Sequence, residues 1–184
     1  MEKVWRFQYG LSAQDYIDFN EHYYLKIPEG KRQLQKYRLA FPLTALVFLL
    51  LTAVRDRDIT LIITQAVLFF IFALVWWFGI QPVMLGIYKR RLKNPKDPAN
   101  SLVDKTGETT FDFENGLITS VDEKEELKVR FDSVTAVYEG KNAYYFYYTK
   151  AKAFVLPYRL FESSEKMVEF YQLLHSTFPM ADKK

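Results

Sequence analysis

In residues 39–80 the only charges are four neighbours, Arg55, Asp56, Arg57 and Asp58, set between two stretches that carry none. As one helix the segment would run roughly 63 Å at ~1.5 Å per residue, about twice a ~30 Å hydrocarbon core. Divided at the charges it becomes residues 39–54, about 24 Å of helix, and residues 59–80, about 33 Å. The second crosses a bilayer unaided. The first needs Arg38 and Arg55 to snorkel, or the bilayer to thin locally. At mid-membrane each charge costs on the order of 2.5–3.5 kcal/mol, so four together belong in water. The tetrad is therefore expected to be the turn of a transmembrane hairpin. A soluble hairpin is the alternative, but ITLIITQAVLFFIFALVWWFGI is apolar all round rather than along one stripe. Gln65, its main interruption, is expected to contact the other helix. A signal peptide is not indicated, since 38 mostly polar residues precede the first span.

Basic residues assign the sides. Lys31, Arg32, Lys36 and Arg38 precede the first span, and Lys89, Arg90, Arg91, Lys93 and Lys96 follow the second. The turn holds only Arg55 and Arg57, balanced by Asp56 and Asp58. The positive-inside rule then makes this a multi-pass cell-membrane protein with both termini cytoplasmic. The net charge of +3 hides a segregation: residues 89–96 carry +5, whereas residues 97–184 hold 11 Lys/Arg against 15 Asp/Glu. The positive charge is a collar at the membrane, not a nucleic-acid-binding face. Arg38, Trp76, Trp77, Lys89, Arg90, Arg91 and Lys93 are the expected membrane-interface residues. The basic ones would draw anionic lipid headgroups at about 1 kcal/mol each, and the plainer alternative is a topology signal alone. The chain has no cysteine, so no disulfide framework is expected and no compartment is implied.

KNPKDPANS, with Pro95 and Pro98, reads as a linker by which the second helix has stopped. An earlier stop or kink at Pro82, between Gly79 and Gly86, is the other option. Beyond the linker, Thr109, Phe111 and Phe113 alternate with polar residues up to Asn115-Gly116, a hairpin signal. In ELKVRFD, Leu127, Val129 and Phe131 share one face. SVTAVYE continues as a strand, and AYYFYYT, aromatic on both faces, should be covered on both sides. KAFVLP ends the sheet at Pro157. A helix follows, capped at Ser163-Ser164, with Met167, Phe170, Tyr171, Leu174 and Phe178 on one stripe and Pro179 beyond its end. The expected class is α+β: one curved antiparallel sheet closed by a C-terminal helix.

The stretch TFDFENGLITSVDEKEELKVRFDSVTAVYEGKNAYYFYYTKAKAFVLPYRLF resembles the YcxB-like family of bacterial membrane proteins. The Glu-Asn-Gly hairpin, RFDSVTAVYE, the aromatic strand and PYRLF carry the resemblance. The N-terminal FQYGLSAQDYIDFNEHYYLK followed by two spans matches that family's layout. Phe131 stands where Trp is expected. The resemblance implies a two-span anchor with a cytoplasmic domain similar to pleckstrin-homology folds, and it implies no reaction. The layout is then 1–38, an N-terminal strand and helix; 39–88, the hairpin; 89–100, a basic linker; and 101–184, the YcxB-like domain.

The N-terminal arm alternates Trp5, Phe7 and Tyr9 against Val4, Arg6 and Gln8, a strand with one aromatic face. Ser12 with Asp15 approximates a capping box for a helix bearing Tyr16, Phe19 and Tyr23. Too short to form a core, the arm is expected to dock on the C-terminal domain and extend its sheet. Catalytic chemistry is sparse. His22 and His175 lie among aromatics without carboxylate ligands at metal-binding spacing. Ser163-Ser164 has no base beside it, VDEKEE reads as a solvated hairpin tip, and no phosphate-binding or dinucleotide motif occurs. Residues 144–148 are core or an aromatic binding surface, and Lys150, Lys152 and Arg159 are solvated or face phosphate.

No catalytic residue, cofactor or metal is assigned. The expected function is a non-enzymatic, membrane-tethered binding or regulatory module for a protein, peptide or inner-leaflet lipid. The alternative is a subunit of an oligomeric transporter or membrane enzyme. Two helices alone cannot enclose a path, but an oligomer could, with Gln65, Gln81 and Gly79 at helix contacts.

Overall fold

In the computed structural model, the described residues between 13 and 93 are helical except at 27 and 58. The structure describes residues 3–56, 58–94, 96–97, 100, 103, 105–122, 125–178 and 180. The linker prolines Pro95 and Pro98 lie outside the described residues, as do Arg57, the hairpin-tip residues Glu123 and Lys124, and Pro179. The chain forms two units: Met1–His22 with Lys89–Lys184, and Tyr23–Tyr88.

The second unit is built from α2 (Pro28–Asp56) and α3 (Ile59–Lys93). Pro28 opens α2, where a missing N–H leaves no ladder bond unmade. At the charged tetrad the Asp58 carboxylate accepts from the amides of Thr60 (2.9 Å) and Leu61 (3.2 Å), capping α3. The stop or kink considered at Pro82 is not a stop, since α3 continues through it to Lys93. One interior proline removes one ladder donor, a loss that apolar membrane-type helices tolerate. Both helices are long and apolar enough to cross a membrane. Their apolar windows are 6% and 0% buried inside the structure, so this is not the buried core hairpin of a soluble fold. Thr44, Thr52 and Thr64 each donate to the carbonyl four residues back, so these three hydroxyls are satisfied within their own helices.

The first unit begins with β1 (Val4–Tyr9) and α1 (Ala13–Lys26), the latter running on into the second unit. It resumes after the hairpin with β2 (Gly107–Asp112), β3 (Leu117–Val121) and β4 (Glu126–Arg130). Then come β5 (Ala136–Glu139), β6 (Ala143–Tyr147), β7 (Ala153–Pro157) and α4 (Ser164–Thr177). The single expected sheet is in fact two open ones, antiparallel β1-β2-β3-β4 and β5-β6-β7. They separate because Phe131, expected to continue β4, starts a 3-10 turn, Phe131–Ser133. Its ring there meets Phe113 (5.3 Å) and Phe178 (4.7 Å).

The β2–β3 connection is a four-residue loop rather than a two-residue turn. Asp112 pairs with Leu117, and the Asp112 carboxylate accepts from the amides of Glu114 (3.0 Å) and Asn115 (2.9 Å). Gly116, at φ 65°, supplies the left-handed residue that closes it. The core joins Phe111, Ile118 and Val129 of the first sheet to Val137, Phe146 and Leu156 of the second, with Phe170 and Leu174 of α4 closing over both. Ser163 caps α4, accepting from the Lys166 amide.

Candidate functional site

The strand β6 decides one sequence question at once. All five of its residues are buried, so the aromatic run is core and not a binding surface. Tyr144 and Phe146 belong to the main core. On the opposite face Tyr145 meets Phe19 (5.7 Å) and His22 (4.6 Å) of α1, and Tyr147 meets Phe19 at 6.0 Å. Burial, with Glu139 and Tyr171 nearby, pushes the Tyr144 hydroxyl up to about 12. Burial likewise raises Tyr145 and Tyr158. Gly140 is required at the β5–β6 turn, because a Cβ there would lie 2.3 Å from the Tyr145 ring.

The N-terminal arm is fastened at several points. β1 pairs with β2 from Val4↔Asp112 to Tyr9↔Gly107, as its alternation anticipated, burying Trp5 and Phe7. The Tyr9 hydroxyl donates to the Val155 carbonyl of β7 at 2.7 Å, tying the first sheet's edge strand to the second sheet. Ser12 and Asp15 form the expected capping box, with the Ser12 amide donating to Asp15 Oδ2 at 2.7 Å. Asp15 does more than cap. Arg159, in the 3-10 turn Tyr158–Leu160, donates through Nη1 and Nη2 to its two oxygens at 2.6 and 2.7 Å, and through Nη2 to the Gly10 carbonyl. Burial opposes ionisation of Asp15, but the hydrogen bonds from Arg159 and Ser12 outweigh it and hold the carboxyl below its ordinary range. Arg159 is thus an internal latch, where the sequence had offered a solvated or phosphate-facing cation. Lys150 and Lys152 are exposed in the β6–β7 turn.

Of the expected membrane-interface residues, Arg38, Trp76 and Trp77 come together at one level of the hairpin. The Arg38 guanidinium lies 5.6 Å from the Trp77 ring centroid and reaches Gln81 Oε1 at 3.5 Å. The Trp76 indole donates across the helix pair to the Tyr37 carbonyl at 2.9 Å and sits 5.8 Å from the Phe41 ring. Lys89, Arg90, Arg91 and Lys93 form the exposed last turns of α3, where cations also complement the helix dipole. Arg91 pairs with Asp97 at 3.0 Å, so part of the collar's charge is neutralised internally. The collar belongs to the first unit by its contacts.

Among the described residues no three His, Asp or Glu side chains converge as a metal-binding group. His22 is packed between Tyr138 and Tyr145, and His175 lies against Tyr171 at 4.3 Å.

These features define a class: a helical hairpin of membrane length whose flanking segments join in a two-sheet α+β unit. Residues 113–174, from the β2–β3 loop into α4, match the model of a family described as YcxB-like protein. The match covers a third of the chain and falls on the segment that carried the resemblance in the sequence. No curated protein and no solved structure matches the chain.

Proposed function

We propose that the chain is an integral membrane protein whose hairpin crosses the bilayer twice, with both ends and the two-sheet unit in the cytoplasm. One observation carries the topology: β1, before the hairpin, is laddered to β2, after it. A β-ladder cannot straddle a bilayer, which supports a chain that re-emerges on the side it entered. The basic residues at both ends of the hairpin favour the cytoplasm as that side. Seven antiparallel strands in two sheets followed by one closing helix support a pleckstrin-homology-like domain, with its first strand supplied from before the membrane.

In this reading the domain is a non-enzymatic binding or regulatory module held at the membrane surface for a protein, peptide or inner-leaflet lipid. Its tyrosines and its one latched carboxylate are absorbed by internal packing, which supports binding over catalysis. The second reading, a subunit of an oligomeric transporter or membrane enzyme, draws on the outward-facing apolar hairpin.

Two experiments test the proposal. In the cysteine-free chain, Asp56→Cys should react with an impermeant maleimide on intact cells and Ser133→Cys should not. The reverse pattern overturns the topology. Native mass spectrometry of the full chain in its own lipids should find a stoichiometric protein or lipid partner. A bare homo-oligomer would favour the second reading.

A further inference from the structure

The hairpin carries an apolar cavity of about 200 Å³ lined by Phe41, Phe72, Val75, Trp76, Gly79 and Ile80, among others. One wall is the Phe41–Trp76 ring pair, and Trp76 is fixed in place by its bond to the Tyr37 carbonyl. Ile80 is buried, whereas Phe72 and Val75 at the rim are exposed. At Gly79 no heavy atom lies within 4 Å of where a Cβ would stand, so the groove is open there. A cluster of water is a poor occupant, because each buried water needs two to four polar partners and these side chains are apolar. The volume holds roughly seven groups of about 30 Å³ each, a segment of one acyl chain and far less than a helix.

The end of the groove toward Arg38 is not apolar. Arg38 lies one helical turn from Phe41 on that side, and Gln81 adjoins Ile80. The guanidinium rests against Trp77, its Nε is buried with no hydrogen-bond partner among the described residues, and its contact with Gln81 is at the outer limit of a hydrogen bond. Arg38 makes no ion pair among the described residues, although a half-buried guanidinium with five donors is matched best by a carboxylate or phosphate. A permanent cation held by packing, one turn from an apolar slot that opens to the side, is complementary in charge and shape to a single amphiphile.

We propose that this end of the hairpin binds one anionic phospholipid, with its phosphate on Arg38 and part of one acyl chain in the groove beside Gly79. The inference rests on the reading of the hairpin as membrane-spanning and deepens it. It assigns lipid recognition to a built site within the hairpin, distinct from the exposed collar of Lys89, Arg90 and Lys93. The guanidinium holds the phosphodiester, the lack of a compensating choline cation on an anionic lipid supplies headgroup preference, and the groove supplies retention through buried methylenes.

The test is lipid retention by the full-length protein reconstituted in nanodiscs of mixed phosphatidylcholine and phosphatidylglycerol, read by native mass spectrometry. The wild-type chain should keep one phosphatidylglycerol in preference to phosphatidylcholine. Arg38→Gln should reduce that preference about tenfold or more, the loss of one charge-assisted contact. Arg38→Lys, which keeps the charge but not the fork, should retain part of it. Gly79→Leu, which fills the slot, should lower retention of both lipids, because it removes the chain site and not the headgroup site. Combined Lys89→Gln, Arg90→Gln and Lys93→Gln should leave retention unchanged. Wild-type retention in both Arg38→Gln and Gly79→Leu overturns the proposal. Loss confined to the collar variant also overturns it, while leaving lipid binding by a tethered module standing. A wild-type protein that does not enter the discs at all instead overturns the membrane-spanning reading. Matched thermal unfolding of the variants separates lost binding from lost folding.

Discussion

Phenylalanine is placed oppositely in the two units. Phe111, Phe146 and Phe170 of the sheet unit are fully buried and meet ring to ring, Phe111–Phe146 at 4.9 Å and Phe111–Phe170 at 5.4 Å. In the hairpin Phe48, Phe70 and Phe78 point outward, and Phe78 is 75% exposed. The same residue type therefore stabilises one unit by leaving water for a protein core and suits the other to a surrounding that is already apolar. Composition alone does not separate these roles, but period does. The sheet unit alternates every second residue, while the hairpin is apolar around its whole circumference.

The sharpest way to break that contrast is truncation of one ring in each unit. Phe170→Ala should cost about 3–5 kcal/mol, because its ring touches both sheets and leaves a cavity that α4 cannot refill. Phe78→Ala should stay within about 0.5 kcal/mol, since no packed neighbour is lost. Thermal unfolding of the full chain in detergent, followed by the near-ultraviolet signal, reads both. Equal losses at the two positions would mean that the outward ring is packed after all.

A second difference lies in how far apart in the chain the stabilising contacts begin. The hairpin's specific bonds are few, whereas the sheet unit is stapled across the whole chain, with Asp15 and Arg159 separated by 144 residues. Asp15 is 6% exposed and Arg159 48%. Arg159→Leu should therefore cost about 3 kcal/mol, at the low end for a buried charge left without its partner. The pH dependence follows from the lowered folded-state value of Asp15. The latch contributes fully above the carboxyl's ordinary 3.8 and is lost as pH falls through the lowered value. Unfolding measured from neutral to acid pH should show this loss in the wild-type chain and not in Arg159→Leu. An identical acid profile in both would detach Asp15 from the latch.

Local pattern made much of the fold readable: the spans from hydropathy and length, the arm strand from its aromatic alternation, and the doubly covered β6 from aromatics on both faces. The capping box at Ser12 was also legible, because its partners are three residues apart. Three features were not. The split into two sheets falls at Phe131, inside an uninterrupted alternation, and is set by where its ring packs rather than by any breaker. Leu127, on the expected inner face of ELKVRFD, is 39% exposed because β4 is an edge strand with little to cover that end. The second role of Asp15 depends on an arginine that only the fold brings near. A capping carboxylate on an aromatic helix, and a basic residue just after a proline-ended strand, are the only local hints of it.

A smaller expected loss than those at Phe170 and Arg159 concerns the indole bond between the hairpin's two helices at the Arg38 level. Trp76→Phe keeps a ring of similar shape against Phe41 but removes the indole donor to the Tyr37 carbonyl. A single neutral hydrogen bond contributes about 1 kcal/mol net. The Tyr37 carbonyl belongs to α2 and keeps an acceptor role within its own helix, so the loss should not exceed that figure. Unfolding of the hairpin in detergent, followed by far-ultraviolet ellipticity, should shift by this small amount while the sheet unit's transition stays unmoved. A shift in both transitions would show that the two units, so different in what surrounds their aromatic rings, nonetheless unfold as one.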